Sequence, residues 1–440
     1  MAAYPRYVAY KDSGLAWLGA MPGHWKLCKA KYLFFRVQRP VRLEDYVVTA
    51  FRNGQVTLRI NRRTDGFTQS AKEIGYQSVR AGDLLVHAMD GFAGAIGVSD
   101  SDGKCSPVCS VCIPVDVNQI YMPYFGYLVR QLAVTDFISS LAKGIRERST
   151  EFGFSEFAVL ELPVPLLEEQ EKIVEFLRHE TAKIDTLLDK HQQLIELLKE
   201  KRQTVICHAV TKGLDANVGM RDSGVEWLGE VPAQWGVSSL GHYAIVSSGA
   251  TPDRSKAEYW HGDIPWIKTG EVKYTEITYA EEYITAEAAA NSAVTLSPPG
   301  TLLMAMYGQG ITRGRVALLG IAATYNQACA AIRVNEKISN EYLRYFFMAA
   351  YHAIRDGGNV TSQTNFNADI VRKLKITVPD LFQQQKIVEF LDLELRRFDA
   401  LIKKAAAAIE LLTERRTVLI TAAVAGTSNV GYRHASSMQD

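Results

Sequence analysis

Residues 12–25, DSGLAWLGAMPGHW, recur at residues 222–235 as DSGVEWLGEVPAQW, an offset of 210 positions. A second match follows. Val164-Pro165 and QEKIVEFL at residues 170–177 return 214 positions later as Val378-Pro379 and QQKIVEFL at residues 384–391, and the likeness runs on to IELL at residues 195–198 and 409–412. Self-similarity at a long fixed period marks a duplicated architecture. Short motif, variable block and long helix are therefore written twice. The variable blocks, residues 28–160 and 238–376, share only echoes: GDLL at 82–85 against GTLL at 300–303, and Tyr124-Phe125 against Tyr345-Phe346. One fold carrying two different surfaces is expected.

The long repeat reads as helix, since Pro165 and Pro379 stand where a helix can begin, Glu168, Glu169 and Glu171 suit its positive end, and no Pro or Gly intervenes before Gly213 or Gly426. Leu177, Ile184, His191, Leu198 and Val205 stand seven apart, joined by Leu187, Leu188, Leu194 and Ile195. The second copy offers Leu391, Phe398, Ala405, Leu412 and Leu419, joined by Leu401, Ile402, Ala408 and Ile409. An apolar seam over four or five heptads is a coiled-coil signature. Leu177, Ile184, Leu187, Leu194 and Leu198 are expected to bury against Leu391, Phe398, Leu401, Ile409 and Leu412. The competing arrangement lays each helix on its own block. Residues 83–89, 105–115, 301–306 and 315–332 read as strands between turn clusters. The fold class is α+β, two pseudo-symmetric blocks separated by two long helices in an antiparallel coiled coil. The segments are 1–160, 161–215, 216–376, 377–425 and a tail, 426–440.

At 440 residues, 47% hydrophobic and 22% charged, the chain has the composition of a multidomain globular protein. No apolar run approaches the ~18 to 20 residues of a membrane span, and the N-terminus lacks the apolar core of a signal peptide, so a cytoplasmic location is expected. Six cysteines, three of them at 105, 109 and 112, fit a reducing compartment. The net charge of +1 hides a distribution: residues 26–160 hold 17 basic and 13 acidic groups, residues 161–215 hold 8 and 11. A polyanion would have to be gripped locally.

No dinucleotide or P-loop motif is present, because the nearest candidate, residues 97–105, has the wrong spacing and Cys105 where Ser or Thr is needed. Cys105, Cys109 and Cys112, with Cys28 or His87, offer soft ligands, but SPVCSVCIPV alternates like a strand and would point Cys109 and Cys112 to opposite faces. No metal is expected. Asp253 with Glu271 and Lys273 satisfies the loose PD-ExK nuclease pattern, which has no counterpart in the first block. No catalytic group is assigned.

Polar and basic residues around turns say more. Arg59, Asn61, Arg62 and Arg63 precede Asp65-Gly66, and Lys143, Arg146 and Arg148 surround Gly144. Phe92 lies in the turn 91–94. The second block has Gln309, Thr312, Arg313 and Arg315, then Asn359, Thr361 and Gln363. Arg, Asn and Gln pair with guanine and adenine edges, while Thr, Lys and backbone amides position phosphate. These residues are the candidate DNA contacts.

With both motif pairs and both blocks in view, the chain resembles the specificity subunit of a type I restriction-modification system over nearly its whole length. The resemblance implies two target recognition domains, residues 1–160 and 216–376, each reading one half of a split, asymmetric site on double-stranded DNA. It implies that the helices hold the readers at a fixed separation, half-sites on one face of the duplex lying ~34 Å apart. The implied partners are two methylase subunits and two restriction/translocase subunits. S-adenosylmethionine, ATP and magnesium would sit on those partners, with no cofactor on this chain. The alternatives are a scaffold without sequence-specific DNA binding and the PD-ExK-like nuclease.

Overall fold

The computed structural model describes residues 5–62, 73–135, 137–138, 152–307, 312–356 and 366–430. The chain forms two compact units, residues 1–191 with 407–440, and residues 192–406. Each combines one variable block with the start of one long helix and the end of the other.

In the first unit the repeated DSG motif is a hairpin, Tyr10–Asp12 paired with Ala20–Pro22. The Asp12 carboxylate accepts from the Gly14 amide at 3.0 Å and the Ser13 hydroxyl from the Leu15 amide at 3.1 Å, so the two side chains hold the turn. The second unit repeats this in Met220–Asp222 and Glu230–Pro232, with Asp222 to Gly224 at 3.0 Å and Ser223 to Val225 at 3.1 Å. The closing tryptophan of each motif is buried and its indole donates into the first turn of a long helix: Trp25 to Glu169 at 3.0 Å, Trp235 to Gln383 at 2.8 Å. Recurrence of the motif is thus recurrence of a helix anchor.

The main sheet also occurs twice with one strand order. In the first unit Phe34–Val37, Cys109–Pro114, Leu84–His87 and Ile96–Val98 lie side by side, antiparallel throughout. Ala244–Ser248, Cys329–Val334, Leu302–Ala305 and Val316–Leu318 follow the same order in the second. A helix packs on each sheet, Met122–Val134 and Asn340–Ala349. What is added differs. The first unit carries a small hairpin, Val48–Ala50 with Val56–Leu58, and a separate antiparallel pair, Gln77–Val79 with Gly103–Cys105. A three-stranded sheet of Glu282–Ile284, Trp260–Ile267 and Thr324–Tyr325 takes their place in the second.

The long helices are Leu167–Lys212 and Leu381–Val424. In the first unit Ile173, Val174 and Leu177 share a core with Ile420, Ala423 and Val424, and Arg416 bonds Asp185 at 2.9 Å. In the second Ile206, Ala209 and Val210 share a core with Ile387, Leu391 and Phe398, and Arg202 lies 3.7 Å from Asp399. The start of one helix meets the end of the other in both units, so the pair is antiparallel. Each helix ends on the hairpin of the other repeat. A Cβ on Gly426, at φ +71°, would come 2.7 Å from the Trp25 ring, and one on Gly213, at φ +78°, 3.1 Å from Trp235. Only a residue tolerant of positive φ and without a side chain fits.

The seam corrects the sequence reading in phase. Leu177, Ile184, Leu391 and Phe398 are buried and Leu198, Ile409 and Leu412 half-buried, but Leu187, Leu194 and Leu401 are 44, 44 and 48% exposed. After Ile184 the inward positions are Leu188, His191, Ile195 and Leu198, steps of four and three, whereas Leu187 and Leu194 sit one position short and turn outward. The echo between Tyr124-Phe125 and Tyr345-Phe346 is out of register too. Tyr124 donates to the Val424 carbonyl at 3.0 Å and Tyr342 to that of Val210 at 3.2 Å, so Tyr342 is the structural partner, one helical turn earlier.

Buried glutamines bind each long helix to its block. Gln170 donates to the Gln119 and Pro165 carbonyls at 2.9 and 3.0 Å and accepts from the Tyr121 amide at 2.8 Å. Gln384 repeats all three bonds with Lys337, Pro379 and Ser339, at 3.0, 2.9 and 2.8 Å. The glutamine of the repeated helix motif is a polar staple, and that explains why it stands in both copies.

Candidate nucleic-acid interface

The two central hairpins present their tips at equivalent places in the sheets, and the candidate residues gather near them. In the first unit Phe92 lies in the tip between Leu84–His87 and Ile96–Val98, half-buried against the core. Asp90 of the same tip bonds Arg52 at 2.8 Å. Arg62 stacks 4.3 Å from the centre of the Phe51 ring and donates to Asn53 at 2.8 Å. Arg59 donates to the Thr49 hydroxyl at 2.9 Å and Asn61 to that of Thr57 at 3.0 Å. The loop 51–55 thus ties Arg62 and Arg52 to the tip that carries Phe92. Arg63, Arg146 and Arg148 lie outside the described residues.

His87 stands at the base of this tip. Its Nδ1 accepts the Asp90 amide at 3.0 Å, which requires a neutral ring protonated on Nε2. Burial lowers its pKa, Arg52 adds to the lowering and Asp90 opposes it. The equivalent strand position in the second unit is Ala305.

In the second unit Thr312, Arg313 and Arg315 come together on the tip between Leu302–Ala305 and Val316–Leu318. Arg313 stacks 5.0 Å from the Phe366 ring centre and Arg315 5.9 Å from that of Tyr274. Burial, chiefly, pushes the Tyr274 hydroxyl up to about 12, so it faces Arg315 uncharged. Gln309, Asn359, Thr361 and Gln363 lie outside the described residues. The sequence reading missed Arg254, which stacks 3.8 Å from Trp260 and 4.8 Å from Trp266 and bonds Glu282 at 2.6 Å. Arg52 was missed too. Its basic charge was visible, but no local pattern placed it beside a tip 38 residues away.

The weighed chemistries find structural explanations. Cys105 and Cys109 lie in one apolar core and Cys112 in another, on opposite faces as the alternation required. Burial pushes the Cys112 thiol up to about 12, and the Cys109 contact, with burial, raises that of Cys105, so these are protonated core thiols. Both Glu271 oxygens accept backbone amides, of Lys268 at 2.8 Å and Glu281 at 2.9 Å, and Asp253 holds Ser255. Those carboxylates shape loops. Among the described residues no helix is long and apolar enough to cross a membrane.

Against known proteins, residues 232–411 match the family described as type I restriction modification DNA specificity domain. The chain is 27% identical to the EcoR124I/EcoR124II type I restriction enzyme specificity subunit of Escherichia coli over 76% of its own length and 77% of that protein's. It is 29% identical to the MjaIX specificity subunit of Methanocaldococcus jannaschii, over 42% of each chain. Its fold resembles a chain solved in a study of complex assembly and conformational transition of the type I R-M system, with a TM-score of 0.72, 16% identity and coverage of 92 and 98%. It also resembles the HsdS subunit from Thermoanaerobacter tengcongensis, with a TM-score of 0.54, 15% identity and the same coverage.

Proposed function

We propose that the chain is a type I restriction-modification specificity subunit, which reads a bipartite, asymmetric DNA sequence without catalysing a reaction itself; the match of residues 232–411 and the likeness to the Escherichia coli subunit support this. One unit reads each half-site. The observation that carries this reading is the pair of sheets of identical strand order whose tips bear different side chains, Phe92 in one and Thr312, Arg313 and Arg315 in the other. A shared frame supplies position, and unlike tips supply unlike specificities.

The repeated anchors support a matching proposal for partners. Two near-identical surfaces in one chain can dock two copies of one protein, as a two-fold axis would. Two methylase subunits and two restriction/translocase subunits would be held in this way, with S-adenosylmethionine, ATP and magnesium on those partners. The candidate residues Arg59, Asn61, Arg62, Arg63, Phe92, Arg146 and Arg148 would serve the first half-site. Gln309, Thr312, Arg313, Arg315, Asn359, Thr361 and Gln363 would serve the second.

Co-expression with the cognate methylase and mapping of methylated adenines tests the proposal. A split, asymmetric motif is expected, and a single continuous motif, or none, overturns it. The purified chain alone, given S-adenosylmethionine, ATP and magnesium, is expected neither to methylate nor to cut. Either activity would overturn the non-catalytic role.

A further inference from the structure

We propose that Arg313 and Arg315 read guanine in the major groove, so that the half-site of the second unit contains guanine at the positions they contact. This rests on the DNA-reading function above and adds a base and the residues that select it.

Backbone hydrogen bonds hold residues 312–315 of the tip. Between the two arginines Gly314, at φ +85°, donates its amide to the Ala305 carbonyl at 2.8 Å, and the Arg315 amide donates to that of Thr312 at 3.1 Å. The side chains are guided as well, because each guanidinium lies by an aromatic ring, 5.0 Å from the centre of Phe366 for Arg313 and 5.9 Å from that of Tyr274 for Arg315. In both, Nε is buried and has no hydrogen-bond partner among the described residues. A guanidinium forms paired hydrogen bonds either through Nε with one terminal nitrogen or through both terminal nitrogens. Burial of Nε closes the first edge and leaves the second.

Neither arginine has a carboxylate partner among the described residues. Arg254, Arg344 and Arg372 of the same unit do, in Glu282, Asp392 and Asp369, at 2.6, 3.4 and 2.9 Å. The adjoining stretches 308–311 and 357–365 contain no Asp or Glu that could supply one. Half-buried cations without a counter-charge cost free energy until acceptors arrive. Among base edges, the acceptors that suit a two-nitrogen edge are the O6 and N7 atoms of guanine. A phosphate asks for less. It is held as well by a flexible lysine or a backbone amide and has no need of ring-fixed orientation, and residues 301–334 contain no lysine.

The test uses the complex with the methylase and compares the wild-type chain with Arg313→Lys and Arg315→Lys. The wild-type motif is expected to contain guanine in the half-site that moves with residues 238–376. Each lysine variant keeps the charge and loses the paired bond. It is expected to lose roughly 5- to 150-fold of discrimination against other bases at a guanine position, the first half-site being read as before. A wild-type second half-site without guanine overturns the proposal whether or not the variants fold. So does an even loss of methylation across all sequences in Arg313→Gln and Arg315→Gln with a shallower salt dependence, which would mark phosphate contacts. Absence of any bipartite motif in the wild type would instead sink the DNA-reading function beneath it.

Discussion

The two hairpin tips occupy equivalent places in equivalent sheets, yet their charges are handled differently. In the first unit Arg52 is paired with Asp90 and Arg62 rests on Phe51 and Asn53, so the basic groups are held within a folded loop. In the second, Arg313 and Arg315 lie by aromatic rings and have no carboxylate partner among the described residues. The frame below is nearly invariant, down to Trp25 and Trp235 or Gln170 and Gln384. Duplication has preserved what positions a reader and released what reads.

The strongest challenge to this comparison is exchange of a whole tip-bearing block. Replacing residues 28–160 with the corresponding block of a known type I specificity subunit is expected to rewrite one half-site completely and leave the other unchanged, as read by methylation mapping. A change in both would show that the units do not read independently. Next in size is the staple. Gln170→Ala and Gln384→Ala each strand one buried carbonyl, one part-buried carbonyl and a part-buried amide, and each is expected to destabilise by about 3 kcal/mol in denaturant titration. Markedly unequal losses would mean the two copies are not energetic equivalents.

The anchoring tryptophans sharpen the comparison further. Trp25 donates to a carboxylate and Trp235 to a neutral amide, so Trp25→Phe is expected to cost about 1 kcal/mol more than Trp235→Phe, since charge-assisted bonds are the stronger. The smallest effect is one of pH. The folded pKa of His87 is depressed, so its contribution is complete above the ordinary imidazole value of ~6.5 and is lost as pH falls below it. Melting followed from pH 8 to 5 should show the first unit losing stability by a step that His87→Asn removes, Asn being able to keep the acceptor for the Asp90 amide. The second unit has Ala305 at that position and no such step.

The duplicated frame was legible because its residues act locally. Asp12, Ser13 and Gly14 make a turn with their immediate neighbours, and a heptad declares its helix. The phase of the seam was less legible, since Leu187 and Leu188 are adjacent apolar residues and only packing decides which one faces the partner helix. The reading surface was least legible. Arg313 and Arg315 look like any loop cations until Phe366 and Tyr274, 53 and 41 positions away, close on them. Arg254 acquires meaning only when Trp266 pairs in the same sheet.

The glycines that end the long helices lead somewhere else. Gly426 closes against Trp25 in the first unit and Gly213 against Trp235 in the second, while the Asn429 amide donates to the Pro5 carbonyl at 2.7 Å. Residues 5 and 429 of the first unit thus lie side by side, although 424 positions separate them in sequence. Joining those two positions with a short peptide and opening the chain around residue 216 would yield a permuted chain that starts with the second hairpin and keeps each anchor within its own unit.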